Sequence, residues 1–186
     1  MKERLTWPLY DTIRASAAWA IGTSLTYFSI PIGSGTSAIA GSGVKTLADT
    51  NLFQPSSLPA PGTYEIHAFR VLTDTACTVL DAQSIVNGSW FRFAVGPKDW
   101  LICPTILLPA GGGVFGSYAT EVAGVLQVAS HGVPDPRAIF RLSQAIKLEQ
   151  QDNFLAYLTA GVAITISAAA VSDIRVVIDG EIIREV

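Results

Sequence analysis

The sequence has few charged residues and few of the side chains that enzymes use most often. Only 15% of its 186 residues are Asp, Glu, Lys or Arg, against about 25% in an ordinary soluble protein. The 12 basic and 15 acidic residues give a net charge of -3, and no run of Lys and Arg occurs. Without a basic excess to neutralise phosphates, we expect no direct nucleic-acid binding. The hydrophobic share of 49% also excludes a disordered, highly charged chain.

Catalytic and metal-binding motifs are also scarce. The segment nearest to a phosphate-binding loop, 41–46, has Val44 where glycine must precede the lysine. There is no GxSxG motif. The two histidines, His67 and His131, lack HExxH spacing, so a metal site that combines them with Asp135 is a weak alternative. We therefore expect no catalysis, no metal and no cofactor.

Cysteine content and hydrophobic runs bear on the compartment. Cys77 and Cys103 form no CxxC pair, which favours two buried free thiols, although a disulfide between them stays open. The uncharged run 154–172 is long enough to span a bilayer, but Val162 and Ile164 alternate with smaller or polar residues, which predicts a strand instead. Charges near the N-terminus interrupt any signal-peptide apolar region, so we expect synthesis in the cytosol.

Strand periodicity dominates after residue 57. Apolar residues at alternate positions predict strands with one buried face, and eight or more such runs predict an all-β sandwich or barrel. Asn87-Gly88 and Asp179-Gly180 predict hairpin turns between neighbouring strands. Residues 74–83 are the strongest helix candidate. The residues expected on buried strand faces are Tyr64, Ile66, Ala68, Phe91, Phe93, Val95, Ile146, Leu148, Phe154, Ala156, Leu158, Ile174, Val176 and Ile178.

The N-terminal third has a different composition. Residues 1–57 are poor in charge and rich in Gly, Ser and Thr, which predicts an arm with one or two strands, packed on or swapped to neighbouring subunits. Residues 58–186 form the body of what we expect to be one domain. Trp7, Tyr10 and Trp19 are the candidate assembly contacts in the arm, and an equal alternative is that they cap the chain's own core. The low charge favours a chain with extensive protein contacts.

The order of these segments resembles that of the single jelly-roll coat proteins of tailless icosahedral bacterial and archaeal viruses with an internal membrane. It is most similar to the smaller of the two major capsid proteins in the sphaerolipovirus-like group. The segments that carry the resemblance are 5–12 (LTWPLYDT), 27–33 (YFSIPIG), Lys45, 49–53 (DTNLF), Leu58-Pro59, 69–71 (FRV), 87–93 (NGSWFRF), 108–113 (LPAGGG) and 176–186 (VVIDGEIIREV).

The resemblance implies an eight-stranded antiparallel jelly roll without catalytic residues. It further implies a virion coat protein, made in the host cytoplasm, that associates with itself and with a second capsid protein above an internal viral membrane. One alternative is a carbohydrate-binding or receptor-binding β-sandwich, like a spike or lectin module, because the chain contains 4 Trp, 5 Tyr and 8 Phe. Another is a cupin-type jelly-roll enzyme, which two distant histidines support weakly.

Overall fold

In the described residues, the chain forms two main antiparallel β-sheets that pack face to face, with an α-helix at their side. This computed structural model describes residues 2–58, 62–74, 77–108, 115–117, 128–130, 139–150, 152–166 and 172–185. Strands make up 52% of the structure, so the all-β expectation is confirmed. The strands are β1 (Lys2–Thr6), β2 (Leu9–Arg14), β3 (Ala18–Trp19), β4 (Ser24–Tyr27), β5 (Thr63–Thr73), β6 (Ser89–Val95), β7 (Lys98–Pro104), β8 (Phe115–Ser117), β9 (Val128–Ser130), β10 (Arg141–Leu148), β11 (Phe154–Ala160), β12 (Ile164–Thr165) and β13 (Asp173–Glu185), and the helix is α1 (Val79–Gly88).

The larger sheet, sheet I, is built around the long strand β13. β5 pairs along one side of β13, and β10 pairs with the far side of β5. β1 and β2 pair in succession along the other side of β13. Trp7 and Pro8 separate these two strands, and Trp7 N–H still donates to Gly180 O at 3.1 Å. Proline has no N–H for the ladder, so β1 and β2 behave as one strand with an interruption.

The smaller sheet, sheet II, has the order β4-β11-β6-β7. β11 pairs with β6 over its whole length and with β4 over four residues. β7 pairs with β6 and, among the described strands, forms the outer edge. Two further pairs, β3 with β12 and β8 with β9, lie outside the two main sheets.

The core lies between the two sheets and is rich in phenylalanine. Phe69 of sheet I sits with its ring centroid 5.5 Å from that of Phe91 and 5.0 Å from that of Phe93, both in sheet II. Phe93 in turn contacts Phe154, at 6.3 Å between centroids. Tilted aromatic pairs at such distances are favourable beyond the area they bury. The expected buried residues of β5, β6, β10, β11 and β13 are confirmed, except that Val95 is only half-buried.

The predicted hairpin at Asp179-Gly180 is wrong, because β13 continues through it. The ladder between β13 and β5 shifts register there, and His67 is the extra residue on β5. This β-bulge reverses the side-chain alternation of β5, so Ala68 and Phe69 are both buried and Arg70 points outward. An Asp-Gly dipeptide thus marks a bulge instead of a turn.

The predicted hairpin at Asn87-Gly88 is also wrong, because these residues end α1. The helix begins after Thr78, whose side chain accepts a hydrogen bond from Asp81 N–H at 3.1 Å, as a helix N-cap does. It therefore starts and ends several residues later than the predicted helix 74–83. A Cβ at Gly88 would lie 3.0 Å from side-chain carbons of Val162 and Ile164, so close packing accounts for glycine at the helix end.

Residues 1–57 do not form a separate arm in this chain. β1 and β2 belong to sheet I, β4 belongs to sheet II, and β3 pairs with β12. The long connection from Phe28 to β5 packs back on β2, where Asp11 and Thr50 form an isolated bridge. In this chain the N-terminal third is therefore part of the sandwich. Its packing on neighbouring subunits, or its exchange with them, stays a prediction.

The two cysteines and the hydrophobic runs have definite places. Cys77 and Cys103 are free and buried, so the favoured free-thiol interpretation is confirmed. Within the run 154–172, Phe154–Ala160 form β11 and Ile164–Thr165 form β12, as the alternation predicts, and residues 167–171 lie outside the described residues. Within the described ranges, no helix has both the length and the apolar character needed to cross a membrane.

Candidate functional site

The three candidate assembly residues lie in different environments. Trp7 is 39% exposed at the interruption between β1 and β2. Tyr10 is half-buried on β2, and its hydroxyl donates to Leu47 O at 2.5 Å. Trp19 is only 1% exposed and belongs to the core. The assembly interpretation of Trp19 therefore needs correction, because its own chain encloses the ring; for Trp7 and Tyr10 that role stays a prediction.

The outer face of sheet II is aromatic and weakly charged. Side chains alternate along its strands, so Trp90 and Arg92 of β6 face away from the core. Tyr157 of β11 stands opposite Arg92 in the ladder, with the guanidinium carbon 4.3 Å from the centre of its ring. Trp, Tyr and Arg are the residues most enriched at the energetic centres of protein interfaces.

Exposed apolar side chains continue along the edge of this face. Trp100 and Ile102 of β7 are exposed, Ile102 to 60%. Ile106 and Leu107 are exposed in the 3₁₀ turn that follows β7. We call the outward side chains of sheet II and this turn the sheet II surface: Trp90, Arg92, Trp100, Ile102, Ile106, Leu107 and Tyr157.

The charges of the strands lie almost entirely on the other sheet. In the four strands of sheet II only Arg92, Lys98 and Asp99 are charged. Sheet I instead carries ion pairs on its outer side, such as the bidentate Arg70–Asp179 pair with both contacts at 2.6 Å. The charged residues in the strands of sheet I are Lys2, Glu3, Arg4, Asp11, Arg14, Glu65, Arg70, Arg141, Lys147, Asp173, Arg175, Asp179, Glu181, Arg184 and Glu185.

A groove of about 430 Å³ lies beside β2 and β13 of sheet I. Its lining includes Arg14 and Arg175. Arg14 Nε donates to Asp173 at 3.0 Å, and Arg175 donates to Thr12 Oγ1 and to Ala48 O. Both guanidinium groups are thus engaged within the chain, so the groove is poorly suited to capture an anionic ligand.

A buried ion pair fixes the long connection between β4 and β5. Lys45 Nζ lies 2.5 Å from Asp11 Oδ1 and also donates to Thr12 O at 3.1 Å. Asp11 further accepts hydrogen bonds from the backbone N–H groups of Thr12 and Phe28. Burial raises the pKa of Asp11, and the lowering effects of Lys45 and these amides do not fully offset it.

A second carboxylate, Asp49, organises the same connection. It accepts hydrogen bonds from the Ser37 hydroxyl, the Ile39 N–H, and the N–H and hydroxyl of Thr46. Burial acts to raise the pKa of Asp49, but these donors together outweigh it, so its pKa is lowered. The Gly- and Ser-rich segment is therefore held by hydrogen bonds to two carboxylates.

The histidine-based alternatives find no support in the described residues. His67 is exposed on β5 at the bulge. His131 and Asp135 lie outside the described residues. In the part of the chain that the structure describes, no three His, Cys, Asp or Glu side chains are grouped as metal ligands would be.

Sequence reasoning missed both the sheet II surface and the buried pair. The alternation of β7 could have indicated an outward Trp100 and Ile102, but which sheet edge they occupy depends on pairing between distant strands. The segment around Lys45 has no periodicity that would predict burial. Lysine is also rarely buried without a partner, so the residue type gave no indication of burial either.

Comparisons with protein-family models, with curated protein sequences and with solved structures find nothing that matches this chain.

Proposed function

We propose that this protein is a structural coat subunit, a single jelly roll that associates with copies of itself and with a second coat protein to build a virion shell. The observation that carries the proposal is the sheet II surface. A broad aromatic and apolar face on one sheet, opposite a sheet covered with ion pairs, is the surface expected of a subunit with one side against a neighbour.

The order of the strands supports the jelly-roll part of the proposal. The paths β2-β13-β5-β10 and β4-β11-β6-β7 are both four-stranded and antiparallel. Followed along the chain, β2 lies in sheet I, β4 in sheet II, β5 in sheet I and β6 in sheet II. β7 stays in sheet II beside β6. The next strands of the two main sheets, β10, β11 and β13, lie in sheets I, II and I. Two interlocked Greek keys require this alternation.

The exposed edge favours a protein partner over a sugar. Lys98 Nζ lies 3.9 Å from the centre of the Trp100 ring, so one face of that ring is already covered by a cation. A glycan-binding platform needs open aromatic faces, whereas an interface uses the area of the ring in any orientation.

The test is the association of the purified chain, followed by light scattering over a range of protein concentrations and by negative-stain imaging. We expect oligomers, rings or sheets that grow with concentration. Ile102→Glu places a charge on the sheet II surface and should shift the chain to monomer, because a buried unpaired carboxylate is costly.

The matched control is Leu47→Glu. Leu47 is as exposed as Ile102, at 60%. It lies in the connection between β4 and β5, where its carbonyl accepts a hydrogen bond from Tyr10 of sheet I. We expect Leu47→Glu to associate like the wild type. If only Leu47→Glu abolishes association, the interface lies near Tyr10; if the wild type remains monomeric even with candidate coat partners added, the coat proposal fails.

A further inference from the structure

The Lys45–Asp11 pair brings together an amine and a carboxyl group inside the protein. Lys45 Nζ and Asp11 Oδ1 are 2.5 Å apart, and the two side chains are 4% and 0% exposed. We propose that Lys45 and Asp11 condense spontaneously into an intramolecular isopeptide bond between Nζ and Cγ. The bond would join β2 to the connection between β4 and β5, and it does not depend on the proposed function.

The surroundings of Lys45 supply fewer hydrogen-bond acceptors than an ammonium has donors. A lysine ammonium has three N–H donors, and the described residues supply two acceptors, Asp11 Oδ1 and Thr12 O. A buried charge with an unused donor is costly. Transfer of one proton from Nζ to the carboxyl group leaves both groups neutral, and the raised pKa of Asp11, caused mainly by burial, acts in this direction.

The backbone around Asp11 is arranged to polarise its carboxyl group. Thr12 N–H donates to Oδ1 at 3.0 Å, and Phe28 N–H donates to Oδ2 at 2.7 Å. Phe28 holds this orientation with a φ of 66°, which is costly for a residue with a side chain. Amides fixed in this way stabilise negative charge that develops on the carboxyl oxygens during attack.

The reaction balances without an added reagent. The lone pair of Nζ attacks Cγ, and Phe28 N–H stabilises the developing charge on Oδ2. The bond between Cγ and Oδ1 then breaks, and Oδ1, which lies against Nζ, leaves as water with the proton already transferred and one further proton from Nζ. The products are one amide and one water molecule, and no group is oxidised or reduced.

The direct test is the intact mass of the purified wild-type chain under denaturing conditions. We expect a mass lower than the sequence mass by one water molecule. Proteolytic mapping should then find one branched peptide that contains both Asp11 and Lys45. A chain of full mass that yields the two ordinary linear peptides would overturn the proposal.

Two variants exclude other sources of water loss. A cyclic imide at Asp179-Gly180 would lower the mass by the same amount, without involving Lys45. Lys45→Arg and Asp11→Ala each lack one reactant, so both should have the full mass, and this readout holds even if a variant does not fold. Loss of water that persists in either variant would overturn the proposal.

Discussion

Gly180 of β13 lies directly against the ring of Tyr64 of β5. A Cβ at position 180 would come within 2.6 Å of the ring of Tyr64 and would also overlap Glu65 O. The Tyr64 hydroxyl lies 2.5 Å from Trp7 O and 3.0 Å from Ile178 O, and its single proton can be donated to either carbonyl. The ring therefore ties β5 to β13 and to the interruption before β2, and only glycine leaves room for it.

We expect Gly180→Ala to destabilise the protein. The added methyl group must displace a ring whose hydroxyl is held between two backbone carbonyls, and overpacking of this kind costs about 1–3 kcal/mol. Urea unfolding followed by fluorescence measures the change. The control is Gly161→Ala, since a Cβ there meets nothing closer than 3.4 Å. Equal stability of the two variants would contradict the role given to Gly180.

We expect Trp19→Ala to lower the stability of the folded chain, and not mainly to weaken its assembly. The ring is enclosed in the core beside β12, and truncation of a buried large aromatic residue costs about 3–5 kcal/mol. Trp7→Ala is the comparison, because Trp7 is partly exposed and should cost much less. Thermal unfolding of both variants decides: a Trp19→Ala protein as stable as the wild type would restore the arm interpretation.

The buried strand faces could be read from the sequence, because period-two alternation is a local property. Phe91 and Phe93 and the set Ile174, Val176 and Ile178 are examples. The role of Gly180 could not be read in this way. An Asp-Gly dipeptide suits a tight turn and also a strand position where another group packs closely against the backbone. Which of the two forms depends on the contact with Tyr64, more than a hundred positions away.

The same limit applies to the candidate sites. The pattern at Trp100 and Ile102 shows two side chains on one face, but not that their strand lies at the edge of a sheet. Lys45 and Asp11 are 34 positions apart, and the segment around Lys45 has no periodicity. Their contact follows from how the connection between β4 and β5 folds back on β2, which only the tertiary structure determines.

Asp49→Asn should lower stability at neutral pH by about 1–3 kcal/mol, because several buried donors lose a charged acceptor. The pKa of Asp49 is lowered in the folded chain, since its hydrogen bonds outweigh the opposing effect of burial. The ionised carboxylate therefore stabilises the fold above the ordinary pKa of 3.8, and this contribution disappears as pH falls through the lower folded value.

The measurement for Asp49 is the difference in unfolding free energy between wild type and Asp49→Asn at several pH values. The difference should be constant near neutral pH and should shrink below the ordinary carboxyl pKa. Because the same wild type serves throughout, titration of other groups cancels in the difference. A difference that grows on acidification would show that Asp49 is not held in its ionised form.

Association through the sheet II surface should depend little on simple salt. Its strands carry only Arg92, Lys98 and Asp99, and Arg92 already lies 3.5 Å from Asp99 within the same chain. Raising sodium chloride to about 0.5 M screens exposed charges, so the oligomer distribution in light scattering should stay nearly unchanged. Ammonium sulfate strengthens apolar burial and should shift the distribution to larger species. Dissociation by sodium chloride would instead indicate contacts through the ion-paired face of sheet I.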